Sequence, residues 1–239
     1  MATAIPSLST RVVLPEVMDQ PHLHPDHHRT ALSALARLNW WSGASRPYRA
    51  LLRRVADEVR PRPVTLLDVA TGGGDVPVAL GRWARRVGID LRIAVCDNNP
   101  RAVRLARERA AHRDLTFEAF VHDITRDEIP KLYDVVICSL FLHHLAHPVA
   151  VEAVRRLACA ADRRLVICDL ARTRTGFLLA TVASRFLTRS PVVHTDALLS
   201  VRAAFTPGEA IRLAHEAGLR GAVVHRCWPQ RFRLCWSRP

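Results

Sequence analysis

The chain has 239 residues, of which 49% are hydrophobic, and it carries a formal net charge of +13 at pH 7. This length fits one domain with an appendage, and the hydrophobic content excludes a disordered chain. The charge alone does not indicate a nucleic-acid binder: every basic residue except Lys131 is arginine, and the arginines are spread from Arg11 to Arg238. A nucleic-acid site would need them on one face.

The six cysteines favour a cytoplasmic protein. Most lie in apolar, strand-like runs without C-x-x-C spacing, which is typical of reduced, buried thiols. Residues 1–15 lack the basic start and continuous apolar stretch of a signal peptide. The longest apolar run, about 177 to 183, is far shorter than the roughly 20 residues that span a bilayer.

The first sixty residues predict an arm followed by helices. Residues 1–20 show no periodicity and indicate a loose arm. The histidine-rich segment 21–28 invites a metal interpretation, but Pro25 interrupts it and no cysteine or His-x-x-x-His pair completes a tetrahedral set. We predict no metal and a solvated helix start capped by Asp26. Apolar residues at helical spacing then predict a helical cap within residues 21–60.

Residues 66–75 form an apolar strand that runs into three glycines and starts a helix. Glycines at the end of a strand let the backbone approach a ligand closely. Asp75 can cap the helix, whose first turn accepts Pro77. A dinucleotide site would need G-x-G-x-x-G, and Pro77 occupies the third glycine position, which disfavours a nicotinamide enzyme.

The pattern that fits is acid-x-(Gly/Ala)-x-Gly-x-Gly, formed by Asp68, Ala70, Gly72 and Gly74. It resembles motif I of the S-adenosylmethionine (SAM) methyltransferases and is most similar to their ubiquinone and menaquinone branch. The resemblance implies SAM as cofactor and S-adenosylhomocysteine (SAH) as product. It also implies that the acid lies near the cofactor's amino group, with the glycines beneath its methionine and ribose. The alternative is a structural strand-to-helix turn.

Acidic residues follow the next two predicted strands. Asp97 ends the second strand about twenty residues after the glycines, a position that suits bidentate binding of ribose hydroxyls. The resemblance makes Asp97 the ribose acid and places Asn98 at the adenine. It assigns Asp123 to the adenine amino group, with Ile124 against the ring; a turn residue is the alternative for Asp123.

The fourth strand begins at Asp134 with four apolar residues in succession, as expected for a strand buried on both faces. In the strand order of these methyltransferases, strands one and four meet at the switch point where open α/β sheets bind ligands. Ser139 would then meet the cofactor, and His143 and His144 would project near the methyl group. We predict one histidine, with His143 preferred, as the base that takes a proton from the acceptor. The alternative is a helix cap and a solvent-facing residue.

The segment after the fifth strand, residues 171–205, is an insertion with apolar residues among arginines. We predict a lid and substrate-binding helix; the alternatives are a packed helix with solvated arginines and a weak contact with a membrane surface. Thr206 and Glu209 form a capping box that predicts another helix, and the last two strands predict a hairpin. The candidate substrate residues are Trp40, Trp41, Phe177 and His194, with core packing as the alternative for the tryptophans.

These elements predict an α/β fold: a doubly wound, Rossmann-like, seven-stranded and mostly parallel sheet whose last strand is antiparallel. Helices join the first five strands. The predicted divisions are a loose arm (1–20), a helical cap (21–60) and a SAM-binding methyltransferase domain (61–239) with the insertion 171–205.

Two short motifs suggest the acceptor. Ser-Leu-Phe-Leu-His-His-Leu and the segment from Ser190 to His194 are similar to bacterial methyltransferases that tailor polyketides and quinones. The likeness implies O-methylation of a small, lipophilic, phenolic or enolic acceptor, with C-methylation of a quinol ring as an alternative. A nucleic-acid methyltransferase would usually show Asn/Asp-Pro-Pro-Tyr after strand four. The intact acids and glycines argue against a catalytically silent SAM-binding protein.

Overall fold

The computed structural model describes residues 7–17, 25–188 and 190–239. Its seven strands form one sheet in the order β3-β2-β1-β4-β5-β7-β6, in which β7 is antiparallel to both β5 and β6 and the other pairs are parallel. The strands are β1 (Val64–Val69), β2 (Leu91–Asp97), β3 (Phe117–Val121), β4 (Tyr133–Ser139), β5 (Ala161–Leu170), β6 (Val223–Cys227) and β7 (Arg231–Ser237).

Helices cover both faces of this sheet, which is why its central strands are continuously apolar. Successive side chains alternate between the faces. Leu66 packs in the core under α2, α3 and α4, whereas Leu67 packs in the core under α5 and α8. The helices are α1 (Pro25–Trp41), α2 (Arg46–Val59), α3 (Asp75–Arg86), α4 (Pro100–Ala111), α5 (His147–Ala160), α6 (Arg174–Leu187), α7 (Pro191–Ala203) and α8 (Pro207–Glu216), with a 3₁₀ turn at Leu142–His144.

The predicted doubly wound sheet with a closing antiparallel hairpin is confirmed. The capping box is confirmed as well: Thr206 accepts from the Glu209 amide, and the Glu209 side chain accepts from the Thr206 amide. One connection differs from the prediction. Residues 122–132, all of them described, join β3 to β4 through turns and contain no helix. The insertion forms two helices, α6 and α7, which pack against each other and against α1.

The start of α3 also differs from the prediction. Gly74 is the N-cap and Asp75 is the first helical residue, so the Asp75 side chain does not cap the helix. Its carboxylate hydrogen bonds with Asn39 of α1 instead. The predicted Asp26 cap and the histidine-rich segment lie outside the described residues and side chains. No helix in the described ranges is long and apolar enough to cross a membrane.

The described part of the N-terminal arm is attached to the body of the protein. The Arg11 guanidinium donates to backbone oxygens of the 3₁₀ turn and of the residue that follows it, and it lies 3.8 Å from the centre of the Phe205 ring. The backbone amide of Val17 donates to Asp196 Oδ1 of α7 at 2.8 Å. The arm lacks sequence periodicity, yet its Arg11 side chain and its Val17 amide hold it to residues at the edge of the protein body that they contact.

Gly74 gives a direct test of how α3 and α4 pack. A Cβ at Gly74 would lie 2.8 Å from Ala106 Cβ, and its φ is +72°. Gly88 is a matched control, because its φ is +71° but a Cβ there would meet nothing within 4 Å. We expect Gly74→Ala to lower the free energy of unfolding by roughly 1–3 kcal/mol more than Gly88→Ala in urea titrations. Equal losses would mean that backbone strain, not packing, restricts Gly74.

Candidate functional site

A cavity of about 720 Å³ lies at the carboxyl edge of the sheet. The carboxyl ends of β1 and β4 are adjacent there, since Val69 pairs with Cys138. Helices α1, α6 and α7 and the end of the N-terminal arm complete the wall. This is the switch point of the sheet, where open α/β folds bind ligands.

The glycine loop after β1 forms one side of the cavity. Ala70 and Gly72 have φ values of 55° and 53°, so the chain turns sharply and presents its backbone to the cavity. The Thr71 amide donates to the Cys96 oxygen at 3.0 Å, which ties the loop to β2. A Cβ at Gly72 would have only a Leu32 methyl within 4 Å. Unlike Ala70 and Gly72, Gly74 does not line the cavity.

Asp68, at the base of the loop, is a buried acid with one unused oxygen. Its Oδ2 accepts from Thr71 Oγ1 at 2.7 Å, whereas Oδ1 has no hydrogen-bond partner among the described residues. Burial raises the pKa of Asp68 to about 8, and the nearby Asp75 and Asp97 add to the increase. A buried acceptor without a donor is costly unless a ligand satisfies it. An ammonium group would satisfy Asp68 Oδ1.

Asp97 and Asn98 line the cavity beside the loop. Asp97 Oδ2 accepts from the Gly72 amide at 2.8 Å, and Oδ1 accepts from the Asn99 amide at 2.9 Å. These bonds fix the carboxylate at the end of β2. Each carboxylate oxygen has two lone pairs, so the group can still accept from a ribose diol.

Asp123 and Ile124 lie on the same wall. Asp123 Oδ1 accepts from the amide and hydroxyl of Thr125 at 3.0 and 2.6 Å, so Asp123 closes a turn while lining the cavity. Burial alone would raise the pKa of Asp123, but the Thr125 bonds and the Arg126 charge hold it below its usual value. Contact of Asp123 and Ile124 with the adenine stays a prediction.

Ser139, at the end of β4, also lines the cavity. Its Oγ lies 2.6 Å from the buried Tyr48 hydroxyl of α2. Burial raises the pKa of Tyr48 well above its usual value, so this phenol stays protonated. The pair fixes the end of β4 against the helix that covers it.

His143 and Asp169 form a buried hydrogen-bonded pair in the cavity wall. His143 Nδ1 lies 2.6 Å from Asp169 Oδ1, and the His143 amide donates to Asp169 Oδ2 at 3.2 Å. Burial would raise the pKa of Asp169, but His143 and the Leu170 amide hold it below its usual value. The ionised carboxylate only accepts, so Nδ1 carries a hydrogen, and in the neutral imidazole Nε2 is then the nitrogen with a free lone pair.

Glu16 brings a second carboxylate to this pair. Its Oε1 lies 3.7 Å from His143 Nε2 and 4.0 Å from His144 Nδ1, and Ser200 Oγ donates to it. Potential donor atoms of Glu16, His143 and His144 lie within 4.8 Å of one another. Such a group can share a proton or hold a cation. The predicted absence of a metal stays a prediction.

The four candidate substrate residues are not all at the cavity. Trp41 lines it, whereas its neighbour Trp40 is 84% exposed and points elsewhere. Phe177 is outside the lining, and His194 Nε2 bonds to the Thr188 oxygen at 2.8 Å. Successive residues of a helix point in different directions, so Trp41 faces the cavity and Trp40 does not. In α6 the residues that face the cavity include Leu179 and not Phe177.

The sequence analysis did not identify three residues of the site: Glu16 and Arg231 line the cavity, and the buried Asp169 lies behind His143. Asp169 is near the carboxyl end of β5, next to β4, and that position is a signal that could have identified it. Glu16 lies on an arm without periodicity. Arg231 is one of many dispersed arginines, so no pattern marks it.

The cavity fits SAM. The orphaned Asp68 Oδ1 suits the amino group, the open backbone at Gly72 leaves space for the methionine and ribose, and Asp97 suits the ribose diol. The residues predicted from motif I therefore converge on one cavity, with Gly74 serving the packing of α3.

Comparison with known proteins agrees with this geometry. A family model described as "Methyltransferase domain" matches residues 66–162. A "Ubiquinone biosynthesis O-methyltransferase" of Xanthomonas axonopodis pv. citri is 25% identical over 223 residues, which cover 87% of this chain and 89% of the relative. A protein of the same name from Xanthomonas campestris pv. campestris (strain B100) is 28% identical over 174 residues, which cover 68% of this chain and 70% of the relative.

Solved structures share the fold. Magnesium protoporphyrin IX methyltransferase from Synechocystis PCC 6803 with bound SAH has a TM-score of 0.56 at 17% identity, covering 82% of this chain and 84% of that one. An O-methyltransferase family 2 protein from Planctomyces limnophilus in complex with apigenin has a TM-score of 0.61 at 20% identity, covering 92% of this chain and 63% of that one.

Three observations lead to one assignment. They are the order of the strands in the sheet, the glycine loop with acidic residues beside it at the cavity, and the sequence relatives. The chain contains a methyltransferase domain and has the fold of the class I SAM-dependent methyltransferases, with SAM as its cofactor.

Proposed function

We propose that the enzyme methylates a hydroxyl oxygen of a small, lipophilic, phenolic or enolic acceptor. The observation that carries the proposal is that His143 lines the cavity and is hydrogen-bonded to the buried Asp169 behind it. Methylation of a hydroxyl needs a group that takes its proton as the new bond forms. Methylation of a ring carbon makes a different demand, because the carbon attacks first and loses its proton afterwards.

SAM supplies the methyl group as a substituent of its sulfonium. With SAM bound, the acceptor oxygen would form its bond to the methyl carbon as the carbon–sulfur bond breaks, leaving SAH, and the hydroxyl proton would pass to His143 Nε2. Asp169 would orient the imidazole and stabilise the imidazolium that results. Asp68 and Asp97 would hold the amino group and the ribose of the cofactor, and fixing the cofactor and the acceptor relative to each other lowers the barrier to such a displacement.

The walls of the cavity favour an apolar acceptor. Apolar side chains from α1, α6 and the segment after β4 surround the polar groups, and they exclude water from the transfer. They are Leu32, Leu35, Trp41, Phe141, Leu179 and Ala183. The relatives support this chemistry: two are named for ubiquinone O-methylation, and one structural neighbour is a complex with the flavonoid apigenin.

We further propose a cytoplasmic enzyme of secondary metabolism. The six free cysteines support a reducing compartment. Nucleic-acid binding stays a disfavoured prediction, and a membrane contact through α6 stays a weak one. Half-exposed Leu178 and Val182 and the 84% exposed Phe186 lie on that helix.

The acceptor can be tested with isotope-labelled SAM. The purified protein is incubated with three acceptor classes, namely catechols, demethylated quinols and enolic polyketides, and with total RNA as a separate arm. We expect a product whose labelled methyl carbon is bonded to oxygen by NMR. A methyl group on a ring carbon would favour the quinol alternative, and label in RNA would favour the nucleic-acid alternative. No product from any arm would favour a silent SAM-binding protein.

The two adjacent tryptophans provide a matched test of the acceptor pocket. Trp41 lines the cavity and Trp40 does not. We expect Trp41→Ala to raise the acceptor KM roughly 5- to 30-fold, because it removes about 1–2 kcal/mol of apolar contact. Trp40→Ala should leave KM unchanged. SAH affinity, measured by calorimetry, should be the same in both variants; a loss in Trp41→Ala alone would place this ring at the cofactor instead.

A further inference from the structure

Arg231 places an unpaired positive charge in the cavity wall. It begins β7, where it pairs with Leu170 of β5 and Cys227 of β6, and its side chain lines the cavity. Its Nη2 donates to Asn39 Oδ1 at 3.0 Å, and its buried Nε has no hydrogen-bond partner. No carboxylate in the described ranges lies within ion-pair distance of it.

Such a group is costly unless an anion binds to it. Removing a guanidinium from water is compensated in proteins by a carboxylate or phosphate partner, whereas the acceptor that the described residues provide here is a neutral amide. Burial lowers the pKa of Arg231, and interactions with Cys168, Tyr48, Asp169 and Asp75 counteract this. Arginine keeps its proton in proteins. The cavity therefore contains a permanent cation that no carboxylate of the described residues neutralises by direct contact.

Other arginines near the loop are already used. Arg109 donates to the Gly73 oxygen and to Ser33 Oγ, so it fixes the loop from behind and does not line the cavity. Arg233, two residues along β7, donates to the Pro47 oxygen at 2.8 Å; its buried Nε also lacks a partner among the described residues, but Arg233 lies outside the cavity lining. Arg101 lines the cavity but is exposed to solvent, so Arg231 combines burial with a place in the cavity lining.

We propose that Arg231 binds a carboxylate in the cavity, and that this is the α-carboxylate at the methionine end of the cofactor. The planar guanidinium matches a carboxylate through two parallel hydrogen bonds. The Asn39 side chain hydrogen bonds both with Arg231 and with Asp75, the first residue of α3. The guanidinium is therefore one side chain away from the end of the glycine loop. The N-terminus of α3 adds favourable dipoles for an anion at the same place. Asp68 would hold the amino group of the same moiety.

The test compares two cofactor fragments. SAH carries the carboxylate, and 5′-methylthioadenosine lacks the whole amino-acid end. We expect Arg231→Met to weaken SAH binding roughly 10- to 100-fold in calorimetric titrations while the affinity for methylthioadenosine changes less than about twofold. Arg231→Lys, which retains charge without the planar fork, should recover part of the loss. Arg233→Met, the matched control on the same strand, should bind both ligands as the wild type does.

An acceptor carboxylate is the second source of the same chemistry. In a second arm, SAH-saturated wild type and Arg231→Met are titrated with 3,4-dihydroxybenzoate and with catechol. If the variant keeps its SAH affinity but loses only the preference for the dihydroxybenzoate, the site binds the acceptor's carboxylate. If neither arm responds, or if SAH and methylthioadenosine weaken equally, the proposal is overturned. A wild type that binds neither nucleoside would overturn it through the cofactor, independently of the acceptor.

Discussion

Replacing His143 by alanine should lower kcat roughly 10²- to 10⁴-fold while SAH affinity stays within about twofold. The imidazole takes the proton of the acceptor and does not hold the cofactor, so the loss should be confined to turnover. Stopped assays with a saturating acceptor from about pH 6 to 9, together with calorimetry, measure both quantities.

His144 and Asp169 provide the comparison. His144→Ala removes a neighbouring ring whose centroid is 4.3 Å from that of His143, and its effect should be less than about tenfold. Asp169→Asn should lower kcat without weakening SAH binding, because the amide no longer holds the tautomer with hydrogen on Nδ1. Unchanged turnover in both histidine variants, singly and together, would mean that His143 is not the base. Activity lost on dialysis against EDTA and restored by a divalent cation would assign Glu16 and the histidines to a metal.

Asp68→Asn should raise the Tm of the ligand-free protein at pH 8 and weaken SAH binding roughly 10- to 100-fold. The pKa of Asp68 is raised from 3.8 to about 8 by burial. The folded state therefore binds this proton more tightly than the unfolded state, and the stability is complete at acidic pH and lost as pH rises towards 8. Each pH unit in that interval costs roughly 1.4 kcal/mol. Asparagine is neutral throughout, so the Tm advantage should grow from pH 4 to pH 8.

Asp134→Asn is the control of opposite sign. Burial would raise the pKa of Asp134, but hydrogen bonds from Arg62 and Thr65 lower it to about 2. The stability that Asp134 contributes is present at neutral pH and lost as pH falls towards 2, so this variant should be destabilised at pH 7.

The raised pKa of Asp68 also predicts a change in proton binding. Below pH 8 the wild type should release a proton on binding SAH, measurable by calorimetry in buffers of different ionisation enthalpy. Binding without proton release would show that Asp68 does not meet the cofactor's amino group.

The sequence predicts this fold well where local chemistry and global position agree. Successive apolar residues such as Leu66 and Leu67 predict a strand buried on both faces, and two of the glycines that follow have the positive φ that few other residues adopt. Asp97 and Asp123 could be predicted to lie at the cavity because Asp97 ends β2 and Asp123 follows β3. The prediction that both tryptophans line the pocket did not take account of the helix. Because α1 continues through Trp41, one residue step along it turns the Trp40 side chain away from the cavity.

Long-range contacts were beyond the sequence. His143 and Asp169 are brought together by the pairing of β4 with β5, and Glu16 reaches them only because the arm is attached at Arg11. The arginines show how composition misleads. Arg172 is buried in an ion pair with Glu209, so part of the high basic content supports internal contacts and does not form a face for phosphates.

β7 lies between β5 and β6 in the sheet but follows both of them in the chain, so the sheet cannot be completed until β7 has been synthesised. The glycine loop, β4 and the histidines are complete early in the chain, yet β5 keeps an unpaired edge until β7 has been made. The same strand delivers Arg231 to the cavity. A growing polypeptide thus holds most of the cofactor-binding residues while its sheet is open to pairing with other chains. The edge of β5 is therefore covered only after β7 has been translated.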